Sequence, residues 1–128
     1  AFNRVNDSHF NGLTALVAEC QQVMPTHQIF ELPLPYIVNE FNERLPASYA
    51  NFLISNQHIL FPIYQQPEDS LALEVIQSAF PAFKIVPINS LPLVHQFGSL
   101  HCISMQRPCG ILKPEILQLF SKGVSEYV

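Results

Sequence analysis

Apolar positions recur at helical spacing near the start of the chain. Leu13, Leu16, Val17, Cys20 and Val23 follow Asp7 and Ser8, either of which can cap, and Pro25 stops the run. This pattern predicts an amphipathic helix over residues 8–24. The stretch "HQIFELPLP" then predicts a strand over 27–32, closed by prolines. Residues 35–48, with Pro35, Asn39, Asn42 and Pro46, form a long connection of the kind that often carries function. Two β-rich runs follow, Tyr49 to Ile54 and His58 to Ile63, separated by Ser55, Asn56 and Gln57, and they predict a hairpin. Pro67, Glu68 and Asp69 suit the first turn of a second helix over 68–80, with an apolar stripe that includes Leu73, Ile76 and Phe80. Beyond Pro81, "FKIVPIN" predicts a strand over 83–88 and "SLPLVHQFG" another connection. "SLHCISM" predicts a short buried strand, and "PEILQLFSKG" a short helix in the tail.

The order of these elements says more than their boundaries. Twice a helix leads into a strand that enters a proline-containing connection, and the second time a hairpin stands in front. The fold class is therefore α/β, an incomplete propeller or stack of ββαβ units with about two units present, the first lacking its hairpin. Units of this kind cannot bury their apolar faces alone. The expected organisation is a partial unit over 1–48 (helix, strand, connection), a complete unit over 49–108 ending in the cysteine strand, and a tail over 109–128.

Composition narrows the classes. The length of 128 residues fits one core without a metal or disulfide staple. Charged residues make up 12%, about half the usual share for a free-standing domain, so some faces are expected to be covered by other protein, or to self-associate when left open. Six basic against ten acidic residues give a net charge of −4 with no basic stripe, which excludes a phosphate-backbone footprint and with it nucleic acid as partner. No apolar run nears the ~18 residues of a membrane span, and no signal-peptide pattern opens the chain, so a cytoplasmic location without membrane contact is expected. The start at "AFNRVN", without methionine, is expected to mark processing or excision from a longer chain.

Three cysteines, Cys20, Cys102 and Cys109, are an odd number at no metal-ligand spacing, so neither a disulfide scaffold nor a zinc site is indicated, and no cofactor is called for. Cys20 falls on the apolar face of the first helix, and Cys109 precedes Gly110 in a turn. Cys102, between Leu100, Ile103 and Met105, reads from composition as a small core hydrophobe, while "FGS" before it and the long connection allow a pocket and a nucleophile. Adjacent residues on a strand face opposite ways, so His101 is not expected to pair with the thiol, leaving His95 or a residue outside the chain as its base. Glu31, Glu40 and Glu43 cluster near the first connection and are expected to be solvated.

"ELPLP", "RLPASYANFLISNQHILFPIY", "LALEVIQSAFP" and "GSLHCISMQRP" together resemble, in order and spacing, the C-terminal portion of agmatine deiminase and its relatives in the bacterial peptidylarginine deiminase family, over about residues 7–108. The resemblance implies a pentein-like propeller of ββαβ units around a central pocket. It also implies a hydrolase that turns a small cationic guanidinium group into a ureido group and releases ammonia. By position, Cys102 is the attacking residue and Gly98 a substrate-side residue. The carboxylates and histidine that serve the family lie in earlier units, and no segment here matches them, so the isolated chain is expected to be inactive. Phe97 stands where the family usually has a glycine and, where substrate packs against that backbone, is expected to narrow or alter the pocket. The alternative is a non-catalytic structural or interaction module that retains the deiminase fold.

Overall fold

In a computed structural model, residues 5–105, 110–111 and 113–121 are described. Seven elements follow in order. They are α1 (Phe10–Val23), β1 (Leu53–Ser55), β2 (His58–Ile63), α2 (Asp69–Ala79), β3 (Lys84–Asn89), α3 (Leu91–Val94) and α4 (Pro114–Ser121). The sheet has the order β1-β2-β3, with β1 antiparallel and β3 parallel to β2. This is one ββαβ unit, and its hairpin, helix and return strand lie where the hydrophobic pattern put them. Ser55 pairs with His58, so Asn56 and Gln57 alone make the turn, and Asn56 takes the left-handed conformation (φ 54°) that asparagine tolerates.

Pro62 in the central strand is unusual, since proline brings no N–H to a ladder. The β1 ladder covers only residues 58–60 of β2, so Pro62 lies beyond it and withdraws no donor from that side. Pro87 stands on β3, an outer strand of the sheet, where proline is tolerated.

The core lies between the sheet and α2. Tyr49, Ile59, Phe61, Tyr64, Ala72 and Val94 are fully buried, with Ile76 from α2 beside them. Tyr49 stacks on Phe61 at 5.8 Å between ring centroids and leans on Tyr64 at 5.4 Å, and Phe52, Phe80 and Phe83 extend the aromatic row. The corner between β2 and α2 is held by one carboxylate. Asp69 accepts hydrogen bonds from the backbone N–H groups of Tyr64 and Gln66 and, at 2.5 Å, from the buried Tyr49 hydroxyl. The sequence suggested only a dipole role for Asp69; its side chain ties strand, helix and the preceding turn together.

The first predicted repeat departs from expectation. Helix α1 forms, but its N-cap is His9 with no side-chain cap, so neither Asp7 nor Ser8 caps it as expected; the Asp7 carboxylate accepts the His9 N–H just before the helix, and residues 27–32 form no strand. An extended apolar segment becomes a strand only beside a partner, and no strand of the described residues lies there, whereas β3 has β2. The structure thus contains one ββαβ unit and a helix-led segment, not two units, and the three-stranded sheet by itself does not make a propeller. That leading segment packs instead through Leu32, Ile37, Leu45 and Ala47 against the core. Val38 and Arg44 form an isolated bridge across a turn organised by the Asn39 side chain, which accepts from the N–H groups of Phe41 and Glu43. Arg44 makes a bidentate pair with Asp7 (3.0 and 2.9 Å) and lies over the Tyr36 ring, anchoring the start of α1 to this connection. No residue of α1 is buried, and Leu16 and Val23 are more than half exposed. No helix of the described residues is long and apolar enough to cross a membrane.

Candidate functional site

The segment 99–105 is not the strand its apolar pattern suggested. The Ile103 N–H reaches the Ser99 carbonyl and the Ser104 N–H the His101 carbonyl, so the chain closes successive local turns, and no ladder forms. Leu100 faces inward and is buried, whereas Ile103 and Met105 stand out, at 66% and 89% exposure. Cys102 sits on this turn and is exposed, so it is not a core hydrophobe.

The turn is fastened to the other end of the ββαβ unit. The Asn51 side chain lies just before β1; its Nδ2 donates to Cys102 Sγ at 3.3 Å, and its Oδ1 accepts the His101 N–H at 3.0 Å. The backbone carbonyl of Asn51 also accepts that N–H, at 3.3 Å. Asn51 is in turn set by a tight turn in which its N–H reaches the Ser48 carbonyl and the Ala50 N–H reaches Ser48 Oγ. The thiol's acidity follows from this cradle. The Asn51 amide first, then the backbone N–H of Ser99 and that of Cys102 itself, stabilise the thiolate and hold its pKa below the ordinary thiol value. Burial opposes this by less than the Asn51 amide or the Ser99 N–H contributes, though by more than the Cys102 N–H.

Ser48, Ala50, Asn51, His101 and Cys102 line a shallow depression of about 360 Å³. His101 therefore does share the site, and the reason for setting it aside fails, because a turn does not alternate its side chains as a strand does. Among the described residues, however, no histidine ring hydrogen-bonds the thiol. His95 is exposed on the turn after α3 and does not line the depression. Glu31, Glu40 and Glu43 are exposed, as expected of solvated carboxylates, and Glu43 takes a hydrogen bond from Asn39. No cluster of three metal-ligating side chains exists among the described residues. Cys20 is half-buried on α1, and Cys109 lies outside the described residues.

Gly98 lies against the site. A Cβ added there would rest 3.9 Å from Cys102 Cβ. Phe97 has φ 59°, its N–H bonds the Val94 carbonyl, and the Gly98 N–H bonds the Leu93 carbonyl. This pair of bonds is a Schellman motif closing α3, with Phe97 at the left-handed position that favours glycine. A glycine at this point thus serves a helix cap. The Phe97 ring is 65% exposed and absent from the lining of this depression.

Asn51 was not singled out by sequence reasoning. The available signal was an amide inside the compact "PASYANF" segment, at the mouth of a strand. Its partner lies 51 residues away, which no local pattern records.

Fold and site define a class: an α/β chain in which a mixed three-stranded sheet, through its flanking turns, presents an open cysteine with a stabilised thiolate. The chain belongs to the Porphyromonas-type peptidyl-arginine deiminase family, whose pattern its residues 3–108 match. It is 34% identical over 119 residues to a Vibrio parahaemolyticus protein named "Putative agmatine deiminase", an alignment covering 73% of this chain and 33% of that one. Among solved structures, C. jejuni agmatine deiminase superposes with a TM-score of 0.71 at 30% identity, over 77% of this chain and 31% of the other. A cysteine-to-serine form of that enzyme with substrate bound gives a TM-score of 0.74 at 28% identity, over 81% and 31%. The chain thus spans about a third of the length of these relatives.

Proposed function

We propose that Cys102 is the nucleophile of a guanidinium hydrolase, and that this chain supplies the thiol's unit of a larger pentein-like propeller. The observation that carries the reading is the exposed Cys102 thiol held at 3.3 Å by Asn51, with its pKa lowered by hydrogen bonds alone. A structural cysteine is typically buried and inert, whereas a reactive one is open and acidified. This favours the catalytic reading over a non-catalytic module. The names of the relatives supply the substrate class, a small cationic guanidinium compound such as agmatine.

In this reading the thiolate sulfur attacks the guanidinium carbon and forms a C–S bond. A C–N bond of the tetrahedral adduct then breaks, and the departing nitrogen takes up a proton and leaves as ammonia. Water adds to the remaining amidino-thioether carbon, the C–S bond breaks, and a ureido product and the thiolate result. The net change is guanidinium plus water to ureido plus ammonium. Asn51 and the Ser99 N–H hold the sulfur anionic before attack and after release, and Gly98 leaves the flank of Cys102 free of a side chain for the substrate. The proton carrier and the carboxylates that anchor the cation come from outside this chain, so the chain alone lacks most of the barrier reduction. Incubating it with agmatine should release no ammonia above background. Robust turnover by the chain, lost in Cys102→Ala, would refute the claim of inactivity. Full activity of a complete protein carrying Cys102→Ala would refute the nucleophile.

A further inference from the structure

The cradle of Cys102 is built from two stretches far apart in sequence. One is the turn 48–51, which carries the Asn51 amide; the other is the segment 98–102, which carries the Ser99 N–H and the sulfur. One side chain touches both. The Tyr64 hydroxyl lies 2.9 Å from the Ser48 carbonyl and 2.9 Å from Ser99 Oγ, and the Ser48 N–H approaches it at 3.4 Å. A carbonyl can only accept, so the phenol donates to Ser48, and the Ser99 hydroxyl must then be the donor to the phenol oxygen. Tyr64 and Ser99 are fully buried, and burial pushes the phenol's pKa up, so it stays protonated and remains a donor. The ring alone fills the core against Tyr49. Packing does not require the hydroxyl, which does something the ring cannot.

We propose that the Tyr64 hydroxyl is the positioning group of the Cys102 site, a clamp that holds the turn 48–51 and the segment 98–102 in the register at which the Asn51 amide meets the sulfur. Tyr64 is not hydrogen-bonded to the thiol; the clamp acts on the sulfur through the two stretches it joins, at Ser48 and Ser99. The clamp is anchored from behind, because the Tyr64 N–H is bound by Asp69 at the β2–α2 corner. The position of the phenol therefore follows that of the sheet and α2. The inference rests on the reading of Cys102 as an activated thiol.

The test uses the full chain with Cys20→Ala and Cys109→Ser, so that Cys102 is the sole thiol, and follows its alkylation by iodoacetamide as a function of pH. In this background the reaction should reach half-maximum below the ~8.5 of a free cysteine. Tyr64→Phe should move that midpoint up by about half a unit, leaving roughly threefold less thiolate at neutral pH. Ser99→Ala, which removes the hydroxyl and keeps the N–H, should move it the same way, and the double variant should add little to either. A Tyr64→Phe chain that melts at lower temperature yet keeps the original pH profile overturns the proposal and leaves Tyr64 a core residue. If Tyr64→Phe does not fold, Ser99→Ala decides by the same criterion. A background chain that itself titrates as a free cysteine removes the activated-thiol reading, a result distinct from an acidic thiol indifferent to Tyr64.

Discussion

Replacing Tyr49 with phenylalanine removes one oxygen from the centre of the unit and little else. The ring is fully buried and stacked nearly parallel on Phe61, with 8° between planes, and phenylalanine can keep both features. What is lost is the 2.5 Å hydrogen bond to Asp69. Hydrogen bonds to charged groups contribute about 1.5–3 kcal/mol. Asp69 retains the N–H groups of Tyr64 and Gln66, so it is not orphaned, and the lower part of that range applies, about 1.5–2 kcal/mol. With an unfolding entropy of about 2.1 cal/mol/K per residue over 128 residues, this lowers Tm by about 6–7 °C. Circular dichroism melts, paired with urea titrations in which the slope is unchanged, measure both quantities. A double-mutant cycle with Asp69→Ala isolates the bond, and a coupling of more than about 1 kcal/mol is expected. A loss under about 0.5 kcal/mol, or a zero coupling, would show that the corner is held by its backbone bonds and that the account of Asp69 is wrong.

Three further outcomes are expected. Asp7, held by Arg44 and the His9 N–H, has its pKa lowered from 3.8 to about 2, so its stabilisation is complete above the unfolded value and is lost as pH falls from about 4 through 2. Urea midpoints measured across that range should fall in the parent chain, and Asp7→Asn should remove this part of the slope; an unchanged slope would refute the pairing. Phe97→Gly removes a left-handed strain of about 1–2 kcal/mol against the burial of about a third of one ring, so stability should hold or rise slightly in urea melts, with Cys102 alkylation unaltered. A loss above about 1 kcal/mol, or a shifted alkylation profile, would return Phe97 to the site. Finally, the uncovered face of α1 should make the chain associate with rising concentration; light scattering that reports a strict monomer throughout would count against it.

Where pairing is local or a helical stripe is long, the sequence was legible. The hairpin, α2, β3, α1 and α4 all lie within a few residues of their predicted spans, because each is fixed by its own periodicity and its capping or turn residues. The segment 27–32 shows the limit: apolar alternation reports that a strand could form, and the missing neighbour decides that it does not. At 99–105 the limit is different, since a short apolar run reads alike as strand or as compact turn. Cys102 was singled out by resemblance alone, and its exposure was not legible, because composition marks cysteine as a core residue. Asn51 and Tyr64 stayed hidden for a simpler reason. Their contacts with the cysteine segment span 51 and 35 residues, and nothing local at either end announces the other.

That long closure changes what kind of object the thiol is. Bringing Asn51 to Cys102 costs on the order of 3–4 kcal/mol of loop entropy, which only the folding of β1, β2, α2 and β3 between them can offset. A nascent, partly folded or damaged copy of the chain therefore carries an ordinary cysteine of ordinary acidity, and the Asn51 contact that lowers the thiol pKa appears together with the finished unit. If Cys102 is the nucleophile proposed above, its chemical competence is in this sense inspected by folding: a cell handling many immature copies is not handling many activated thiols.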